Sequence, residues 1–192
     1  MAANIKGEKT GRMELIKITP DFKEKEKLFA LNDEAFPKEE RIPSDRFFAL
    51  IQELGCDAWA FYDGGFVGFA VLLPDADLQM AYLSYLAIDG VCRSKGYGGM
   101  ALARLAEVYD GYQIALDMER MDESADNYDQ RRRRLAFYER NGFRRASVGF
   151  RYFKMDLEIM CNGGCFRERD FRLLIGRIRL PGFDPVLYPI SS

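Results

Sequence analysis

The segment Ala81–Leu105, AYLSYLAIDGVCRSKGYGGMALARL, constrains this chain more than any other. It opens as an apolar run of strand length, passes through a basic loop punctuated by glycine, and resumes as a helix with apolar positions at helical spacing. Amides in such a loop and in the first helical turn have no internal acceptors. They lie at the positive end of the helix dipole, where phosphate is favoured. The glycines of Arg93-Ser94-Lys95-Gly96-Tyr97-Gly98-Gly99 let the main chain fold tightly and remove Cβ atoms that would hold a ligand away. A ligand carrying phosphates is therefore expected.

Spacing narrows the choice. A phosphate loop of the nucleotide-hydrolase type needs Lys and then Ser or Thr after its last glycine, but Gly98 is followed by Gly99 and Met100. The dinucleotide fingerprint calls for a third glycine where this chain has Ala101, and for an early place in the chain, whereas this segment lies mid-chain. The loop does resemble, as Arg93-x-x-Gly96-x-Gly98, the cofactor loop of the GNAT acetyltransferases, and Leu86-Ala87-Ile88-Asp89 before it extends the likeness. A second motif follows as Arg134-Leu135-Ala136-Phe137-Tyr138-Glu139-Arg140-Asn141-Gly142-Phe143. Its apolar face, Asn-Gly stop and new strand resemble the end of that family's fourth helix. On these two motifs the chain is identified as similar to a single-domain, bacterial-type GNAT member.

The absence of histidine removes Ser-His-Asp and Cys-His hydrolases and leaves carboxylate, tyrosine, cysteine or water as a general base. Four scattered cysteines in 192 residues, with no apolar signal-peptide core at the N-terminus, predict reduced thiols and a cytoplasmic protein. Cys161 and Cys165 offer two ligands where structural zinc needs four, so no metal is expected. A net charge of −2 implies no attraction to nucleic acid or an anionic membrane, and no apolar run reaches the length of a membrane span. With 48% hydrophobic and 30% charged residues the chain has the composition of a globular domain that buries a core.

Along the chain, residues 1–12 read as a flexible lead-in, 13–158 as the acetyltransferase domain, and 159–192 as a C-terminal extension packed on it. Met13–Thr19 reads as a strand, Phe22–Ala35 as a helix, and the residues after Ser44 to Leu54 as a second helix. Ala58–Tyr62 and Phe66–Leu73 form a hairpin, and Leu78–Ile88 completes a meander. A third helix over Gly98–Asp110, a strand over Gln113–Met118 and a fourth helix over Arg131–Asn141 precede two strands near Phe143–Arg145 and Phe150–Leu157. The implied class is α/β (α+β): the GNAT fold, with a mostly antiparallel sheet of about seven strands flanked by about four helices. The resemblance makes Phe36–Arg46, between the first two helices, a candidate substrate wall, with a simple helix connection as the alternative. Five arginines between Arg167 and Arg179 make either a guide for anions or a solvated face.

The resemblance implies acetyl-CoA as co-substrate and transfer of its acetyl group to a primary amine by direct attack in a ternary complex. Main-chain groups of Leu86, Ala87 and Ile88 would take the pantetheine arm as an added strand, and the amides from Arg93 through Ser94, Lys95, Gly96, Tyr97 and Gly98 to Gly99 the diphosphate. The family places a tyrosine at the position of Tyr138 as acid for the leaving thiolate. Asp117 and Glu119, two apart on a strand and hence on one face, are the candidate bases. Ser84 stands where many relatives carry glutamate, and Arg131 where some place a cofactor-contacting asparagine. Two rivals are a silent acyl-CoA sensor of the same fold and a nucleotide-binding α/β domain. The acceptor, small molecule or peptide, is not encoded in these motifs, and an exposed sheet edge with an apolar tail is compatible with a homodimer.

Overall fold

Runs rich in β-branched and aromatic residues on both sides of the central segment pair into a single sheet, with helices on both faces. In the computed structural model, which describes residues 13–190, the strands are β1 (Glu14–Lys17), β2 (Asp57–Tyr62), β3 (Phe66–Asp75), β4 (Met80–Ile88), β5 (Gln113–Glu119), β6 (Arg144–Tyr152), β7 (Met155–Cys161) and β8 (Val186–Pro189). The helices are α1 (Lys25–Ala35), α2 (Phe47–Leu54), α3 (Tyr97–Val108), α4 (Tyr128–Arg140) and α5 (Glu168–Ile175). The lead-in expected over residues 1–12 lies outside the described residues. Strand order is β1-β2-β3-β4-β5-β7-β6-β8, antiparallel throughout except β4 with β5. This is the mostly antiparallel α/β sheet that the motifs implied. Among the described residues there are eight strands and five α-helices rather than about seven and four, because the segment after residue 158 contributes α5 and β8.

One face packs on α3, whose Ala101, Leu102 and Leu105 lie against Ala70, Leu72, Leu83 and Leu116; Leu135, Phe137 and Tyr138 of α4 join the same cluster. On the other face, Leu28, Leu31 and Phe47 of α1 and α2 cover Phe69 and Val71. Phe171, Leu174 and Ile175 of α5 cover Tyr82, Phe150 and Ile159 on that face too. Fully burying each such side chain is worth ~1.5–3 kcal/mol, so the helices are held by packing rather than by propensity. Among the described residues no helix is long and apolar enough to cross a membrane.

The two strands after α4 correct the sequence reading. Where the alternation breaks, at Ala146–Gly149, the chain does not turn. Ser147 takes φ +55° and the register slips between Arg145 and Gly149 within one strand. The reversal comes instead after Tyr152, with Phe153 at φ +48°. A bulge and a turn interrupt a period-2 pattern in the same way, and only pairing tells them apart.

The sheet also divides. β4 and β5 pair only across Met80–Leu83 and Gln113–Leu116. Beyond that point β4 stays with β3 as far as Ile88 opposite Gly68, while β5 continues with β7 as far as Glu119 opposite Leu157. The cause is local. Leu83 faces Leu72 and Tyr85 faces Val71, which leaves Ser84 as an extra residue whose Oγ donates to the Val71 carbonyl at 3.2 Å. Such a bulge bends its strand, and here it coincides with the parting of β4 from β5.

Candidate active site

The parting leads directly to the glycine loop. Past Ile88, Asp89 caps a short 3-10 turn by accepting the Val91 amide at 3.0 Å. Ser94 and Gly96 then take φ +62° and +84°, and α3 begins at Tyr97 with the Met100 amide donating to the Gly96 carbonyl. The amides of Tyr97, Gly98 and Gly99 precede the first intrahelical bond and point out at the positive end of the helix.

Side chains of the loop are engaged elsewhere. Arg93 donates from Nε to the Ile88 carbonyl at 3.0 Å and from Nη2 to Glu34 at 3.0 Å, while Lys95 Nζ donates to the Val91 carbonyl at 2.8 Å. Tyr97 Oη donates to Asp63 in the β2–β3 turn at 2.7 Å, and that acceptor raises its pKa. The site therefore offers phosphate a set of main-chain amides, with its cations serving to hold the turn. Leu86, Ala87 and Ile88 pair with β3 on one edge, and their other edge faces the gap. The Ile88 carbonyl is already taken by Arg93.

The glycines have separate reasons. Gly96 needs its positive φ and has open space where a Cβ would stand. At Gly98 a Cβ would lie 3.0 Å from the Phe137 ring, and at Gly99 2.8 Å from Asn141 Oδ1, so these two let α3 close on α4 rather than make room for a ligand. Gly98→Ala is expected to destabilise the fold by ~1–3 kcal/mol through overpacking. Gly96→Ala is expected to lose ~1–2 kcal/mol from backbone alone. Thermal melts of both variants check this, and an unchanged melt for Gly98→Ala would contradict the packing role.

Across the gap, the two carboxylates of β5 differ. Glu119 accepts from Asn127 Nδ2 at 2.8 Å and pairs with Arg134 and, at 3.6 Å, with Arg131, and its pKa lies low. Burial works against that lowering, but the contacts to Asn127, Arg134 and Arg131 outweigh it. Arg131 also donates to the Asn127 side chain and the Arg120 carbonyl, both at 2.7 Å, so it braces the start of α4. Asp117 sits where the strands part. Burial raises its pKa to about 6, against the lowering effect of hydrogen bonds from Tyr152, whose Oη is 2.8 Å from Oδ2, and from Tyr82.

Tyr138 packs with the cluster on the α3 side of the sheet, the face opposite Asp117. Its ring lies 5.2 Å from Phe137 and 5.9 Å from Phe143, and burial raises the phenol to about 12. Among the described residues its hydroxyl has no hydrogen-bond partner, and it is close enough to feel the charge of Asp117. Sequence reasoning missed Tyr82 and Tyr152. Both lie at strand positions indistinguishable from core aromatics until the pairing of β5, β6 and β7 is known. The four cysteines are free thiols, and among the described residues no cluster of three potential ligands is placed to hold a metal.

Residues 54–145 match the family model of the acetyltransferase (GNAT) domain. The chain carries a GNAT acetyltransferase domain. The matched span of that domain runs from the end of α2 to the start of β6 and includes the loop, Asp117, Glu119 and Tyr138. Solved structures share its fold. A protein assigned to the GNAT family from Bacteroides thetaiotaomicron superposes with a TM-score of 0.69 at 21% identity, over 85% of this chain and 94% of its own. The ribosomal-protein-S18-alanine N-acetyltransferase of Escherichia coli gives 0.58 at 17% identity over 80% and 95%. A GNAT family acetyltransferase from Elizabethkingia anophelis with acetyl-CoA bound gives 0.54 at 16% over 80% and 99%. No curated protein sequence matches the chain.

Proposed function

We propose that the protein is a cytoplasmic, acetyl-CoA-dependent N-acetyltransferase that passes the acetyl group to a primary amine by direct attack in a ternary complex. The observation that carries this reading is the gap between β4 and β5, which begins at Ser84 and ends at the amides of Tyr97, Gly98 and Gly99, for which α3 offers no intrahelical acceptor. A free strand edge fits the amide-bearing pantetheine arm, and the helix start fits the diphosphate. Bound there, acetyl-CoA supplies an activated acyl group with a good thiolate leaving group.

The residues then divide the work. Asp117, ionised above pH 6, accepts the proton that the amine must lose for its nitrogen lone pair to attack the thioester carbon. Tyr138, still a phenol at about 12, donates its proton to sulfur as the carbon–sulfur bond breaks. They approach from opposite faces of the sheet, which suits an amine and a thioester meeting at the gap. Glu119, fixed by two arginines, holds β5 to α4 and serves as a positioning residue.

Calorimetry with coenzyme A and a thiol-release assay with acetyl-CoA over an amine panel test the proposal. Binding with a dissociation constant of about 1 μM to 1 mM and thiol release with at least one amine are expected. No binding would overturn the reading, and binding without release across the panel would mark the chain as a sensor.

A further inference from the structure

The sheet face that carries Asp117 has a cavity of about 230 Å³ beside the gap. Its inner wall includes Tyr82, Ser84 and Tyr152, so the tyrosine that donates to Asp117 at 2.8 Å, Tyr152, also lines it. The Tyr152 hydroxyl thus links the cavity wall to the proposed base through a single hydrogen bond. Its outer walls are apolar. Leu50, Ile51 and Leu54 of α2 face it, as do Phe153 of the β6–β7 turn and Leu180 and Phe183 of the segment after α5. Phe183 is locked in place, its ring 5.3 Å from Tyr152 and 6.0 Å from Phe153.

Charge enters from one segment. Glu39 and Glu40, between α1 and α2, also line the cavity, and Tyr85 Oη holds this segment by donating to the Glu40 carbonyl at 2.6 Å. Arg41 also lines the cavity, and its guanidinium is paired with Asp33 at 3.2 Å. The lining therefore presents the carboxylates of Glu39 and Glu40 to a largely apolar chamber, with Asp117 behind Tyr152. A cation with an apolar body complements both features. A polycation does not, because its further ammonium groups would lie desolvated along α2 and the tail. A volume below the ~300–1,000 Å³ of pockets for drug-sized ligands fits a body of about one aromatic ring.

From the place of this chamber one hydrogen bond from Asp117, its apolar walls and its carboxylate rim, we infer that the acceptor is a small monoamine with an aromatic or branched aliphatic body. This rests on the proposed acetyltransferase reading, and it excludes polyamines, aminoglycosides and peptide N-termini as preferred acceptors. The apolar tail after α5 is then a specificity element.

The test compares 2-phenylethylamine with spermidine, kanamycin and an alanine-leading peptide by thiol release from acetyl-CoA. For 2-phenylethylamine kcat/KM is expected to be at least ~10-fold higher than for the others, and Phe183→Ala and Leu54→Gln each to raise its KM by ~10-fold with the KM for acetyl-CoA unchanged. Preference for any of the polar amines, with coenzyme A still bound, would overturn this inference and leave the proposed function standing. Failure to bind coenzyme A would instead overturn the proposed function. In that case, titrating 2-phenylethylamine alone into the protein decides the chamber's role: heat of binding that is lost in Leu54→Gln supports it, and no binding overturns it.

Discussion

Asp117→Asn is expected to lower kcat by about 10²–10⁴ while leaving coenzyme A binding intact, because it removes the proposed proton acceptor without altering the shape of the site. In the wild type, kcat/KM should rise with pH through about 6, as Asp117 loses its proton, and the variant should lack that limb. A purely structural aspartate would leave the limb in place. Stability gives a second, independent readout. Unfolded, the carboxyl titrates near its ordinary 3.8, whereas folded it titrates near 6 because burial penalises its charge. Below pH 3.8 it is protonated in both states and contributes no penalty. Between the two values the folded state holds the proton more tightly, so stability falls as pH rises, and above pH 6 the full penalty of ~3 kcal/mol is present. Asparagine carries no such penalty. The stability of Asp117→Asn relative to wild type should therefore improve by up to ~3 kcal/mol between pH 4 and pH 8, read by chemical denaturation at both. A gain in stability at neutral pH with a loss of turnover is the mark of a strained functional group.

The order of elements was legible in the sequence because this fold announces itself through local signals. The Gln113 strand, the α3 start at the glycine loop and the Asn141-Gly142 stop of α4 all fell where short-range chemistry put them. What was not legible depended on pairing. The bulge at Ser84 is invisible in an uninterrupted apolar run, yet it coincides with the parting of β4 from β5. The slip near Ser147 and the true turn at Phe153 look alike in a pattern of alternating residues. The last strand, Val186–Pro189, is too short for any periodicity, and it exists because β6 offers it a free edge.

The site was half legible for a related reason. A motif identifies which residues are present, whereas charge state depends on what surrounds them. Asp117 and Glu119 are equivalent by alternation, but burial of Asp117 outweighs the hydrogen bonding that lowers its proton affinity, while Asn127 and two arginines outweigh burial at Glu119, so their affinities for a proton move in opposite directions. Likewise the loop is basic in sequence, and the structure turns Arg93 and Lys95 back onto the main-chain carbonyls of Ile88 and Val91. The chamber wall is assembled from α2, the β6–β7 turn and the tail, which are distant in sequence, so no window of the chain contains it.

Tyr138→Phe is expected to reduce turnover by ~10²-fold or more with little change in cofactor affinity or melting temperature. The ring makes the structural contribution through Phe137 and Phe143, and phenylalanine preserves it. The hydroxyl has no protein partner among the described residues, so its removal leaves no donor or acceptor stranded. An effect on turnover alone therefore reports on the hydroxyl proton. Because the phenol titrates near 12, the wild-type rate should show no basic limb from this group below about pH 10, and the variant's loss should be constant from pH 7 to 9. The leaving group supplies the sharper test. A thioester whose thiol is a stronger acid than coenzyme A's needs less help from an acid, so the ratio of wild-type to variant rates should shrink with such a donor. Equal ratios for both donors would remove Tyr138 from proton transfer and leave it as a packing residue.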